Sequence, residues 1–356
     1  MQVIQPPVHL CIVGTGLIGG FIGSCFLNLP EDFKPTFIGR EKLIDAVKQH
    51  GISVTRQFNA RQNFPPETIN ISASLDDAAT ADIVFVCVKS QDTAIVSKKL
   101  KDVIKSTAIV VSLQNGIRNT QTLRQELPHN PIIGGIIPFN VIQEQATHYR
   151  QTTSGEIVLE SSPSTPSVEA LFKQSHLPVR SVIDIAGLQW TKLLMNLNNP
   201  VNALAGIPLA EQLQIKEYRL VTAACIEEAL HLLKAHNIKT QRYGSIIPEL
   251  LPTILRLPNG MFKMIAKKMI SIDPLARSSM YDDLKRGRKT EIEFLNGEIE
   301  YLGKQLQHNS RPHSDENYQA SPVNSRIIAL IKNAESRDAG SPEMSAEDLL
   351  KQIHSY

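Results

Sequence analysis

Short, nearly continuous apolar runs punctuate the first half of the chain and give way to helical periodicity in the second. Leu10–Val13 opens the series, and Pro35–Arg40, Ala81–Lys89, Thr107–Gly116 and Pro131–Phe139 repeat it. Runs that are apolar at successive positions, without alternation, predict strands covered on both faces, as in a parallel sheet flanked by helices. Between them, Leu17–Leu29 and Glu41–His50 read as helices. Ile52–Thr55 and Ile69–Ser72 alternate in polarity and are expected to pair with each other. Thr147–Thr153 and Glu156–Glu160, split by Ser154-Gly155, are expected to form a hairpin. The turn-rich stretch Ser161–Ser167 leads into a helix around Val168–Gln174, and Val179–Ile185 gives a last strand. From Ala186 onward the pattern is helical.

The first strand runs directly into Gly14-Thr-Gly16-Leu-Ile-Gly19 and then into a helix. In such a strand-turn-helix the first glycine permits the tight turn. The second lets a pyrophosphate approach the backbone, and the third lets the helix pack close to the strand. The helix N-terminus then offers free N–H groups and a positive dipole end to the phosphates. These features predict a Rossmann-type, doubly wound α/β domain over residues 1–184 and an all-α domain over residues 185–356. At the end of the second strand an acidic residue would bind the ribose 2′-hydroxyl of NAD. This chain has Gly39-Arg40, and the planar fork of Arg40 suits the 2′-phosphate of NADP, although Glu41 follows at once. Lys89 and Asn115 stand at the carboxyl ends of two further strands, the edge at which open α/β sheets bind ligands. Taken singly, each reads equally well as a surface residue or a plain turn.

In the helical half, Trp190–Asn202 is apolar at Leu193, Leu194, Met195 and Leu197, yet carries Lys192, Asn196 and Asn199 at i, i+4 and i+7. At about 100° per residue these three share one face. Burying a lysine and two amides without partners is costly, so the face is expected to meet a ligand or to lie in solvent. Farther on, Arg277–Gly297 is polar and charged before merging into an apolar-periodic helix through Ile292, Leu295, Ile299 and Leu302. By composition it reads as an exposed basic helix.

At 356 residues the chain is long enough for two domains, and its formal net charge of +2 gives no bulk electrostatic case for nucleic acid or an acidic membrane. Cys11, Cys25, Cys87 and Cys225 are widely spaced in apolar segments and are expected to be reduced, buried thiols of a cytoplasmic protein. The start of the chain lacks the basic region of a secretory leader. His308 and His313 have no cysteine or acidic companions, so no metal site is expected. The stretches His308–Ser321 and Ser336–Glu347 are expected to be surface loops, with a short helix at Ala346–Ile353.

Over most of its length the chain resembles the ketopantoate reductase (2-dehydropantoate 2-reductase) family. The resemblance is carried by Gly14-x-Gly16-x-x-Gly19, Val88-Lys89, Gln114-Asn115-Gly116, Lys192-Leu-Leu-Met-Asn196, and Ser278-Ser279-Met…Asp283…Thr290-Glu291-Ile292…Asn296-Gly297. It implies an N-terminal Rossmann domain and a helical C-terminal domain like that of 6-phosphogluconate dehydrogenase, with NADPH and substrate between them. It further implies that Gly14, Thr15, Gly16, Leu17, Ile18, Gly19, Arg40, Lys89, Asn115 and Glu291 face NADPH/NADP+. Lys192 would be the proton donor for reduction of a 2-oxo acid. Asn196, Ser279 and a further amide, with Asn199 the first candidate, would hold the substrate. Asn199-Pro200 comes one residue earlier than the family spacing, which leaves Asn198, Asn199 and Asn202 as alternatives. Arg277 is an added charge ahead of the double serine that would favour a different or larger acid. The expected partners are the small-molecule acid and a second copy of the chain in a homodimer. The competing classes are an opine-type imine reductase, which would be expected to use a histidine, and a non-catalytic NADP-binding sensor.

Overall fold

The protein is described by a computed structural model covering residues 8–57, 59–265, 276–310 and 321–354. The chain divides into two compact units, Met1–Ile185 and Ala186–Tyr356.

The first unit is built on strands β1 (Leu10–Val13), β2 (Pro35–Ile38), β3 (Ile52–Thr55), β4 (Gln62–Phe64), β5 (Asn70–Ser72) and β6 (Ile83–Val86). These are followed by β7 (Ile109–Ser112), β8 (Ile132–Ile136), β9 (Val141–Gln145), β10 (His148–Gln151), β11 (Ile157–Glu160) and β12 (Val179–Val182). Eight of them form one sheet in the order β12-β11-β8-β7-β6-β1-β2-β5. Its central pairs are parallel, and β11 runs antiparallel to β8. Every residue of β1, β6 and β7 is buried, as their unbroken apolar runs require. The chain leaves β1 toward β2 on one side and returns to β6 on the other. The strand order therefore reverses between β1 and β6, the position at which open α/β sheets bind ligands beyond their carboxyl ends.

Helix α1 (Leu17–Phe26) is buried from Gly19 to Phe26 because it is covered twice. One side meets the main sheet, where Phe26 packs on Phe85 of β6 at 5.1 Å between ring centroids, and on Phe172 of the helix Thr165–Gln174 at 5.4 Å. The other side meets a second sheet, ordered β4-β3-β10-β9, through Tyr149, and Phe21 packs on Phe139, just ahead of β9, at 5.3 Å. A Cβ at Gly20 would lie 2.2 Å from the Tyr149 ring, so that contact needs glycine.

Two expected pairings are overturned. Ile52–Thr55 does not pair with Ile69–Ser72: β3 lies in the second sheet beside β10 and β4, whereas β5 extends the main sheet beside β2. Nor do the segments around Ser154-Gly155 form a hairpin. β10 pairs with β9, and β11 joins β8 and β12. Alternation shows that a segment is half-buried but not which strand it meets. The last strand also ends earlier than expected, at Val182, and a helix begins at Ile185.

The second unit is helical. Helix Lys216–Ala235 is its spine, burying Val221, Ala223, Cys225, Ile226, Ala229, Leu232 and Leu233. Packed on it are helices Leu251–Arg256, Asn296–Ser310, Pro322–Arg337 and Ala346–His354. Fully buried Arg219 fastens one end of the spine. Its guanidinium donates to the carbonyls of Leu213, Leu255 and Leu257 and to Asn259 Oδ1 at 2.8–3.0 Å, and lies 4.2 Å above the Phe262 ring. The Asn296–Ser310 helix extends past His308, so the stretch expected to be a loop from His308 is still helical through Ser310. Residues 311–320, with His313, and Leu275 lie outside the described residues. No helix among the described residues is long and apolar enough to cross a membrane.

Candidate functional site

At the carboxyl end of β1, Gly14 has φ +95°, a backbone that other residues adopt only with strain. A Cβ there would lie 2.6 Å from the Val88 backbone nitrogen, so the turn is pressed against the end of β6. A Cβ on Gly19 would lie 2.2 Å from the Gly14 carbonyl oxygen, which is how tightly α1 returns onto the turn. Gly16 differs: a Cβ there would meet nothing within 4 Å. The backbone at the N-terminus of α1 thus faces open space, the condition for a phosphate to approach it. Thr15 ties the turn to β2 through its hydroxyl, which donates to the Ile38 carbonyl at 2.9 Å.

Arg40 follows Gly39 at the end of β2 and caps helix Glu41–His50 from an exposed position. Its guanidinium has no hydrogen-bond or ion-pair partner among the described residues. Glu41 is exposed in the first turn of that helix. Lys89 is half-buried directly after β6, and Asn115 is half-buried after β7 with Gly116 at φ +87° beside it. A buried polar cluster, not foreseen from the sequence, joins these two strand ends. Gln114 donates through Nε2 to the Val88 carbonyl at 2.9 Å and to Thr93 Oγ1 at 2.7 Å. Thr93 in turn donates to Asn119 Oδ1 at 2.7 Å. Asn119 Nδ2 donates to Ser90 Oγ at 3.0 Å and to the Asn115 carbonyl, which also accepts from Ser90 Oγ at 3.1 Å. Four polar side chains therefore fix the backbone on which Lys89 and Asn115 stand.

In the second unit, the expected single helix over Trp190–Asn202 is two: Ile185–Asn196 and Asn198–Ala205. Leu197 keeps right-handed helical angles, so the turn carries on. Leu193, Leu194 and Leu197 are buried, whereas Lys192, Asn196 and Asn199 are half-buried. Burial pulls the Lys192 ammonium down from 10.5 to about 8, against the opposing pull of the negative charge on Glu291. Glu291 is itself half-buried. It is held between Thr290, whose N–H donates to Glu335 at 2.7 Å, and Ile292, whose N–H donates to Thr290 Oγ1 at 3.3 Å.

The three alternative asparagines are distinguished by their partners. Asn198 is bonded to Gln212 through Nδ2 at 3.3 Å and Oδ1 at 2.8 Å, and its Oδ1 also accepts from Thr222 at 2.9 Å. Asn202 is fully buried; it donates to the Ile207 carbonyl at 2.9 Å and accepts the Ser278 N–H at 2.8 Å. The side-chain amide of Asn199, like that of Asn196, has no partner among the described residues. Ser278 caps helix Ser279–Lys285, and Ser279 is exposed on its first turn without a side-chain partner among the described residues. Arg277 is not a loose cation. It donates to the Gly206 carbonyl and lies 4.5 Å over the Tyr281 ring. Nor is Arg277–Gly297 one exposed basic helix: it breaks at Arg286 and buries Met280, Leu284 and Ile292.

Among the described residues no group of three or more His, Cys, Asp or Glu gathers to hold a metal. All four cysteines are free. Burial pushes the thiols of Cys11, Cys25 and Cys87 up to about 12, and that of Cys225 upward as well.

Comparison with known proteins places this geometry. The chain is 26% identical to the 2-dehydropantoate 2-reductase of Pyrococcus horikoshii over 345 residues, covering 94% of this chain and 100% of that one. A solved PanE/ApbA family ketopantoate reductase from Ralstonia eutropha JMP134 superposes with a TM-score of 0.77 at 24% identity, covering 93% of this chain and 99% of that one. The ternary structure of a D-mandelate dehydrogenase with NADH and anilino(oxo)acetate shares the fold at a TM-score of 0.72 and 18% identity, covering 93% and 99%. Residues 10–164 match the family described as Ketopantoate reductase PanE/ApbA, and residues 184–335 match its C-terminal domain. The chain belongs to the ketopantoate reductase PanE/ApbA family.

Proposed function

We propose that the chain is an NADPH-dependent oxidoreductase that reduces 2-dehydropantoate (ketopantoate) to pantoate, a step toward pantothenate and coenzyme A. The observation that carries the mechanism is Lys192, a half-buried lysine brought to about 8 beside two unpartnered amides.

Bound NADPH supplies the hydride. On the first unit the open backbone at Gly16 takes the pyrophosphate, with Gly14, Thr15, Leu17, Ile18 and Gly19 forming the turn around it. The unpaired Arg40 takes the 2′-phosphate, which selects NADPH over NADH through charge-assisted bonds. Lys89 and Asn115, on their braced strand ends, complete the contacts of the first unit. On the second unit Lys192 donates a hydrogen bond to the C2 carbonyl oxygen and gives up its proton as the oxygen becomes a hydroxyl. With its affinity lowered to about 8, it is still mostly protonated at neutral pH and yields the proton more readily than an ordinary lysine. Asn196, Asn199 and Ser279 hold the carboxylate and hydroxyl of the substrate. Asn198 and Asn202 are already committed to internal bonds and are assigned no substrate contact. We place the enzyme in the cytoplasm, in keeping with its free thiols, three of them buried and Cys87 half-buried, and as a homodimer, for which Ile247, Leu250, Met261 and Met264 offer exposed apolar surface.

The test is cofactor oxidation with ketopantoate, 2-oxoisovalerate, and pyruvate plus an amino acid, each with NADPH and NADH. Ketopantoate with NADPH should give the highest kcat/KM by tenfold or more. A preference for the imine-forming pair would replace this reading with an opine-type activity, and tight NADPH binding with no turnover would replace it with a sensor.

A further inference from the structure

The second unit carries an internal chain of polar bonds that ends on the residues assigned to the substrate. It starts at Thr222 on the spine, whose hydroxyl donates to Asn198 Oδ1 at 2.9 Å. Asn198 and Gln212 exchange bonds at 2.8 and 3.3 Å, and Gln212 Oε1 also accepts from Asn202 Nδ2 at 3.3 Å. Asn202 Oδ1 accepts the Ser278 N–H at 2.8 Å. Ser278 Oγ then acts in both directions: it donates to the Asn199 carbonyl at 3.0 Å and accepts the Tyr281 N–H at 3.1 Å. Thr222, Gln212, Asn202 and Ser278 are all buried, and the bonds from Asn202 to Gln212 and from the Ser278 N–H to Asn202 form away from water, where an unmade bond is expensive.

Ser278 is the junction. Its hydroxyl fixes the backbone of Asn199, whose amide is unpartnered. Its capping bond fixes the first turn of the helix on which Ser279 is exposed. Two candidate substrate contacts, on separate helices, are thereby set at one spacing by one hydroxyl. We infer that Ser278 is a positioning residue of the reductase site. It holds Asn199 and Ser279 in register, and so sets the selectivity for an acid that carries a hydroxyl as well as the 2-oxo group.

This inference rests on the proposed reduction of ketopantoate, and the experiment separates the two. Ser278→Gly removes the hydroxyl at a helix cap where glycine is tolerated, and Ser278→Thr keeps the hydroxyl. Both are compared with the unaltered enzyme on ketopantoate and on 2-oxoisovalerate, which lacks the distal hydroxyl, with melting temperature and NADPH affinity measured alongside. Misplacement of about 1 Å can cost on the order of 100-fold in rate. In Ser278→Gly, kcat/KM for ketopantoate should fall by about 10- to 100-fold, chiefly through KM, and the value for 2-oxoisovalerate by less than about threefold. NADPH affinity should be unchanged, and Ser278→Thr should recover most of the loss. An equal fall for both acids, or no fall in a folded Ser278→Gly protein, overturns the inference while leaving the reductase reading in place. If Ser278→Gly does not fold, the ratio of the two acids in Ser278→Thr decides: a ratio like that of the unaltered enzyme supports the inference, and a collapsed ratio overturns it. An unaltered enzyme that ignores ketopantoate removes both.

Discussion

Replacing Lys192 with methionine keeps most of the side-chain volume and removes the ammonium. A drop from 10.5 to about 8 means that folding disfavours the charged form by roughly 3 kcal/mol at ~1.36 kcal/mol per unit. Burial is the cause, and the Glu291 charge offsets only part of it. The unfolded lysine holds its proton up to 10.5, whereas the folded one releases it near 8. Between these values the unfolded state binds more protons, so stability rises with pH across that window, and below 8 the penalty stands in full. At pH 7, then, Lys192→Met should stabilise the second unit by about 1–3 kcal/mol, seen as a higher midpoint in urea unfolding, and the gain should shrink as the pH approaches 10. The same variant should lose about 10²- to 10⁴-fold in kcat, because the positioned acid is gone. In the unaltered enzyme kcat/KM should fall about tenfold per pH unit above 8, and Glu291→Gln should move that break lower. A destabilised Lys192→Met protein, or a break that stays near 10 and ignores Glu291→Gln, would refute the reasoning.

Other substitutions test separate parts of the structure. Gly16→Ala adds a methyl to open space, so the free protein should lose less than about 1 kcal/mol while NADPH affinity falls at least tenfold. Gly19→Ala drives a methyl into the Gly14 carbonyl and should lose about 1–3 kcal/mol or more in thermal unfolding. Arg40→Ala should weaken NADPH by about 10- to 100-fold and leave NADH nearly unchanged, as expected for charge-assisted bonds of roughly 1.5–3 kcal/mol. Arg219→Met strands the carbonyls of Leu213, Leu255 and Leu257, and should cost at least about 3 kcal/mol in urea unfolding with little effect on the kcat of the protein that remains folded.

The β1–α1–β2 unit was legible because each of its features is local. An apolar run and three spaced glycines each carry their meaning within a few residues. The helix Glu41–His50 was legible for the same reason. The strand partners were not, since β3 meets β10 across the chain and β5 joins β2, and alternating polarity says nothing of the partner. The site divides the same way. Lys192, Asn196 and Asn199 could be placed together by helical spacing alone. Separating the unpartnered amide of Asn199 from the internally bonded Asn198 and Asn202 needed Gln212, Thr222 and Ser278, whose roles arise only from the packing. In the cluster of Ser90, Thr93, Gln114 and Asn119 behind Lys89 and Asn115 only Gln114 carries a sequence signal, because the bonded pairs across it lie 21–29 residues apart and the other three are ordinary polar residues.

The most direct measurement incubates the protein with ketopantoate and NADPH and quantifies pantoate and NADP+ by mass spectrometry, with Lys192→Met in parallel. One pantoate per NADP+ from the unaltered chain, and pantoate formed about 100-fold or more slowly by a variant that still binds NADPH, is the expected result. NADPH bound tightly with no pantoate formed, or pantoate formed equally well without Lys192, would contradict it.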